Sequence, residues 1–208
     1  MSHPTHYRGE VTRIALIGGI GAGKSTVVDY LRARGFVAVD ADEVYRELVD
    51  RGQPLLAALV DAFGDAVLTP EGELDRPFLA SVVFADPTAL TRLDAITHPM
   101  VGREMRRQLD AAPGRVVFAA VPLYRPEHRE SLALDEVWSV QVAPEIAVER
   151  LVEQRAMTEG DARARIASQM SNEQREALVD EVIWNNTDRD ALNERVDELL
   201  RQRGLDGH

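Results

Sequence analysis

Apolar residues run along this chain in two rhythms. Short, mostly apolar runs stand at Arg13–Ile17, Phe36–Val39, Arg115–Val121, Val137–Val142 and Val182–Trp184, with helical patterns between them. Runs of that length suit strands buried on both faces, and their alternation with helices predicts an α/β fold on a five-stranded parallel sheet. The interval 41–113 has no strand-like run. Leu55, Leu56, Leu59, Val60 and Phe63 recur there at helical spacing, so it reads as a helical insertion on the carboxyl-terminal edge of the sheet, where such folds bind ligands. A second helical insertion is expected over about 144–178. Its charges alternate in sign over successive turns, as in Glu149, Arg150, Glu153 and Arg155, the pattern of a solvated, ion-paired face with room for one or two arginines to point inward.

Between the first apolar run and the first helical pattern lies Gly18-Gly19-Ile20-Gly21-Ala22-Gly23-Lys24-Ser25, followed by Thr26. This is the phosphate-loop pattern G-x-x-x-x-G-K-S. Its glycines let successive backbone N–H groups turn toward a phosphate, the lysine reaches the outer phosphates, and the serine hydroxyl holds Mg²⁺. The helix expected over Ser25–Arg34, with Val27, Val28 and Leu31 on its apolar face and Gly35 at its end, turns its positive dipole end toward the same anion. Lys24 is also the sole lysine among 24 basic residues, so a general use of lysine does not account for it. Residues 19–26 are therefore the expected site for ATP and Mg²⁺.

Charge narrows the ligand class. The chain carries a formal −11, and even Glu145–Glu176, where arginines look dense, holds five arginines against seven acids. No block of sequence is basic, which argues against nucleic acid as a partner while leaving a small anion open. No apolar run approaches the ~18 residues that cross a bilayer, and Met1–Glu10 is polar, so a soluble cytoplasmic protein with a flexible tail over residues 1–10 and no membrane partner is expected. Residues 204–208 also read as frayed. Cysteine is absent, which removes disulfides, thiolate nucleophiles and cysteine-bound zinc together.

Asp40-Ala41-Asp42 stands at the end of the second expected strand. A carboxylate there could take the proton of an attacking hydroxyl or assist a metal, while either acid could instead cap the helix starting near Glu43.

Several ordered segments together resemble one family, the dephospho-coenzyme A kinases: Leu16 to Thr26, Val39-Asp40-Ala41-Asp42 with Arg46-Glu47-Leu48, Phe63-Gly64, Gly72 with Leu74-Asp75-Arg76, Val83-Phe84, Ile96-Thr97-His98-Pro99, Arg163 to Gln169, and Asp180 to Asn185. The phosphate loop is common to many proteins, whereas the ordered set with His98-Pro99 is specific. The resemblance implies a single P-loop kinase domain over 11–208, with 41–113 binding the acceptor and 144–178 forming a lid. It implies transfer of the ATP γ-phosphoryl group to the 3′-hydroxyl of dephospho-coenzyme A; a monomer or weak homo-oligomer is expected. By the same analogy Asp42 is the base, with Asp40 second. Lys24 bridges the outer phosphates, Ser25 holds Mg²⁺, and Arg150 or Arg155 covers the nucleotide. Arg46, Arg76 and His98 then lie near the acceptor, although a histidine before proline is commonly a helix-terminus or core residue and Arg76 follows a turn-capping sequence. Asn185, in an Asn-Asn-Thr-Asp run, reads as an ordinary loop and capping residue. One departure stands out: where the family runs Pro-Leu-Leu, an apolar residue and Glu, this chain has Pro122-Leu123-Tyr124-Arg125-Pro126, with Glu127 one place late.

Other phosphate-loop functions fit less well. Guanine recognition through Asn-Lys-x-Asp needs a second lysine, and a motor or transport ATPase would end Arg115–Pro122 in an acid, which this strand lacks. A kinase for another small alcohol or nucleoside, or a nucleotide- or CoA-binding paralogue without catalysis, remains open on the sequence alone.

Overall fold

The computed structural model describes residues 11–205, so the expected tail over residues 1–10 lies outside the described residues. The five apolar runs are the five strands, β1 (Thr12–Gly18), β2 (Val37–Asp40), β3 (Val116–Ala120), β4 (Glu136–Gln141) and β5 (Glu181–Trp184), in one parallel sheet of order β2-β3-β1-β4-β5. β1 lies between β3 and β4, pairing Leu16 with Ala120 on one side and with Trp138 on the other. Every residue of β3 and β4 is buried, which is why β3 is apolar throughout, while β4 holds Glu136, Ser139 and Gln141 as buried polar residues.

Two helices close one face of the sheet, α1 (Lys24–Ala33) and the carboxyl-terminal α10 (Arg189–Gln202). Val27, Val28 and Leu31 of α1 and Leu192, Val196 and Leu200 of α10 join Ile14, Leu16, Phe118 and Trp138 in one apolar cluster. Phe118 meets Phe36 edge-on at 5.6 Å and Trp138 at 5.8 Å, geometry the aromatic quadrupole favours. The expectation of a frayed end from residue 204 is corrected in its first two residues. Gly204 takes a positive φ of 65°, the Leu205 N–H bonds back to the Leu200 carbonyl at 2.8 Å, and the Leu205 side chain is buried in the core. That is a Schellman closure, fixed by the glycine's freedom at C′ and by the apolar residue after it.

The chain forms two compact units, one holding the sheet up to Val39 and again from Leu109, the other spanning Asp40–Gln108. The second unit contains α2 (Ala41–Leu48), α3 (Pro54–Phe63), a 3₁₀ turn (Asp65–Val67), α4 (Arg76–Ala85) and most of α5 (Pro87–Ala111). Leu55, Leu56, Leu59, Val67, Leu79 and Val83 make its own core. In the sheet unit, α6 (Glu127–Ser131) precedes β4, and α7 (Pro144–Arg155), α8 (Glu159–Ala167) and α9 (Asn172–Glu176) fill the interval before β5. Thr158 caps α8, and Ser171 with Gln174 forms a reciprocal capping box on α9, which explains two helix starts so close together. Among the described residues no helix is long and apolar enough to cross a membrane.

Candidate active site

β1 runs out at Gly18, and the chain crosses Gly19–Gly23 before α1 begins at Lys24. Gly23 is the N-cap of α1 in the left-handed region, at φ 93°, and a Cβ there would strike the Asn185 amide, so both backbone and neighbour demand glycine. No side chain caps α1 and no acid lies in its first turn. Its orphan N–H donors and the positive end of its dipole are thus left for an anion. Lys24 is half-buried and Ser25 exposed at the first turn, on a cavity of about 360 Å³ that is also lined by Gly21, Thr26, Arg150, Arg155 and Arg189. Three arginines and the lysine give this cavity a local cationic wall within an acidic chain.

The loop is tied down from elements far along the chain. Asn185, buried just past β5, donates from Nδ2 to the Ala22 carbonyl at 2.8 Å. The capping interpretation suits its neighbours: Asn186 accepts from the Ala143 N–H and Asp188 caps α10. Asn185 itself is a fastening of the phosphate loop, a role the local sequence pattern did not reveal. Gln169 accepts from the Ile20 N–H at 2.9 Å. Arg150 of α7 donates to the carbonyls of Gly21 at 3.3 Å, Asn185 at 3.0 Å and Thr187 at 3.2 Å, so its fork joins the loop to the segment after β5. Arg155, at the end of the same helix, is exposed on the cavity wall and makes no hydrogen bond or ion pair among the described residues. Arg163 pairs with Glu159 four residues back at 2.8 Å, the solvated arrangement expected of that stretch.

The remaining expected site residues belong to the second unit. Asp40 is the N-cap of α2, its Oδ1 accepting from the Asp42 N–H at 2.8 Å, while the exposed Asp42 carboxylate has no hydrogen bond or ion pair among the described residues. One acid caps and the other is left available. Arg46 is exposed on α2, and Arg76, at the start of α4 behind the cap Asp75, lies 5.3 Å over the ring of Tyr45. Burial pushes the Tyr45 phenol above its ordinary value, with Arg76 acting the other way. His98 is neither a terminus nor a core residue: it sits inside α5, half-exposed, with Nε2 3.6 Å from Asp94. Pro99 follows inside the same helix, a placement tolerated only where the helix gives up a hydrogen bond.

In the divergent stretch, Tyr124 is buried against the His128 ring and Arg125 N–H donates to His128 Nδ1 at 3.0 Å, so Pro122–Pro126 is a packed turn leading into α6. No cluster of three or more carboxylates or histidines suited to a metal occurs among the described residues. The Ser25 hydroxyl is the candidate donor to a hard cation, which fits Mg²⁺ that keeps phosphate oxygens and waters as its other ligands.

Residues 12–191 match the family model described as dephospho-CoA kinase. A dephospho-CoA kinase of Streptomyces avermitilis is 47 % identical over 188 residues, 90 % of this chain and 91 % of the relative. Among solved structures, a protein of Thermus thermophilus superposes with a TM-score of 0.76 at 27 % identity, covering 93 % of this chain and 98 % of that one. A dephospho-CoA kinase from Campylobacter jejuni gives 0.65 at 20 % identity, covering 94 % and 98 %, a likeness of fold.

Proposed function

The chain belongs to the dephospho-CoA kinase family, and from that premise we infer that it transfers the γ-phosphoryl group of ATP to the 3′-hydroxyl of dephospho-CoA, giving coenzyme A and ADP. The observation that carries this reading is the family match across 12–191 together with an uncapped helix N-terminus framed by Lys24. The alternatives, another small acceptor or a paralogue without catalysis, are not favoured by a relative 47 % identical along nine-tenths of both chains.

Phosphoryl transfer asks the protein mainly to position groups and neutralise charge. In this reading, the loop N–H groups and Lys24 hold the β- and γ-phosphates. Asp42 accepts the proton of the acceptor hydroxyl as its oxygen bonds to the γ-phosphorus and the bond to the β-phosphate bridging oxygen breaks. Mg²⁺, held on the protein side by Ser25, supplies charge neutralisation between the phosphates when bound. Arg46, Arg76 and His98 are proposed contacts of the acceptor, and 144–178 the lid that excludes water.

With ATP, Mg²⁺ and dephospho-CoA, ADP and coenzyme A should form in equal amounts by coupled assay and chromatography. ADP released at the same rate without acceptor, or none at all, would overturn the reading.

The two lid arginines should separate. Arg150→Ala removes a charged donor from three carbonyls and should cost about 1–3 kcal/mol of stability along with turnover. Arg155→Ala breaks no bond in the protein, so turnover should fall with the melting temperature unchanged. If both variants keep full activity, the covering cation lies elsewhere on the cavity wall, with Arg189 the next to test.

A further inference from the structure

Arg175 of α9 is only 8 % exposed and rests against the phosphate loop: a Cβ added to Gly19 would fall 2.8 Å from its Nη2 and 3.2 Å from Nη1. Among the described residues its side chain makes one hydrogen bond, from Nη1 to Asn172 Oδ1 at 3.2 Å. Asn172 is in turn fastened to the end of β4, donating to the Val142 carbonyl at 2.9 Å and accepting at its own carbonyl from Gln141 Nε2 at 3.3 Å. The guanidinium is therefore aimed by a chain of bonds from the sheet, and no carboxylate pairs with it among the described residues. Burial lowers its pKa below the usual arginine value, yet arginine remains a cation at neutral pH. A buried charge without a counter-ion is costly, and such a charge persists where something else repays it.

We propose that Arg175 is a binding residue of the nucleotide site, a fixed cation seated on Gly19 whose counter-charge is the triphosphate of the bound nucleotide. This rests on the ATP reading above and deepens it. The charge acts at short range from a water-poor position, so salt screens it less than it screens Arg155 on the surface. Gly19 is the complement of this arrangement: its missing side chain is what lets the guanidinium approach the loop.

The test combines Arg175→Met, Arg175→Lys and Gly19→Ala with steady-state kinetics and thermal melting of the ligand-free protein. Arg175→Met should raise the KM for ATP about tenfold or more, leave the KM for dephospho-CoA within about twofold, and keep or raise the melting temperature, because an uncompensated charge has been removed. Arg175→Lys should recover most of the ATP affinity. Gly19→Ala should raise the ATP KM as well, and in the Gly19→Ala/Arg175→Met double variant the two effects should fall short of their sum, since both act through one contact. An unchanged KM for ATP in Arg175→Met overturns the inference. So does a lowered melting temperature or failure to fold in that variant, and so does a lysine variant no better than methionine; each would make Arg175 a packing residue. A wild-type protein that does not turn over ATP would instead remove the nucleotide reading itself.

Discussion

Asp42→Asn should lower turnover by about 10²–10⁴-fold, the usual contribution of a general base, while ATP binding changes little. The expectation turns on how the two acids divide their work. Asp40 spends its carboxylate on the N-cap of α2, and asparagine is as good an N-cap as aspartate, so Asp40→Asn should be mild. Asp42 caps nothing, and in the first turn of α2 its charge adds about 0.3–1 kcal/mol of helix-dipole stabilisation at most. That is too small for unfolding to explain a loss of several hundredfold. Measured kcat, ATP affinity and melting temperature for both variants separate the cases; a greater loss in Asp40→Asn would move the base to that residue.

The same two acids mark the boundary of what could be read from sequence. β3 and the middle of β1 were legible because both their faces are buried, leaving Val117-Phe118-Ala119-Ala120 and Ile14-Ala15-Leu16-Ile17 without a polar residue, while β4 was legible by its valines and Trp138 despite the buried Ser139 and Gln141. The phosphate loop was legible because its glycines and lysine are required by backbone geometry within eight positions. Which of Asp40 and Asp42 would cap was not, since either could reach an N–H in the first turn. Asn185 was missed for a different reason: its partner, Ala22, is 163 residues away, and no local pattern marks such a contact. The helical setting of His98 was not legible, because proline normally marks a boundary, whereas α5 continues through Pro99. Arg175 lay hidden in a stretch of mixed charge that elsewhere behaves as expected. A signal was present, however: Arg163 has Glu159 four residues earlier and pairs with it, whereas Arg175 has Ser171 there and pairs with no acid among the described residues.

An acyl-phosphate analogue of ATP should label this protein on Lys24 and lose that labelling when ATP is in excess. Such a reagent acylates amines near its phosphates, and the chain offers only Lys24 and its amino terminus. Lys24 opens α1 directly beyond the left-handed Gly23, where the loop presents it to the outer phosphates. Lys24→Arg keeps the charge but replaces a compact ammonium with a planar fork that the loop does not fit, so labelling should vanish and most of the activity with it. Peptide mapping by mass spectrometry decides. Label confined to the amino terminus, or label on Lys24 indifferent to ATP, would mean that the glycine loop is not the nucleotide site.

The bond from Asn185 to Ala22 gives the order of synthesis a consequence. Ala22 leaves the ribosome early, but the residue that fixes its carbonyl is made 163 positions later, after all four of the other strands. A nascent chain therefore carries its glycine loop unfastened through most of translation, and a contact so distant in sequence closes late in folding. ATP, abundant in any cell, stabilises only what it binds, so it can favour the finished protein without rescuing chains that stall before β5.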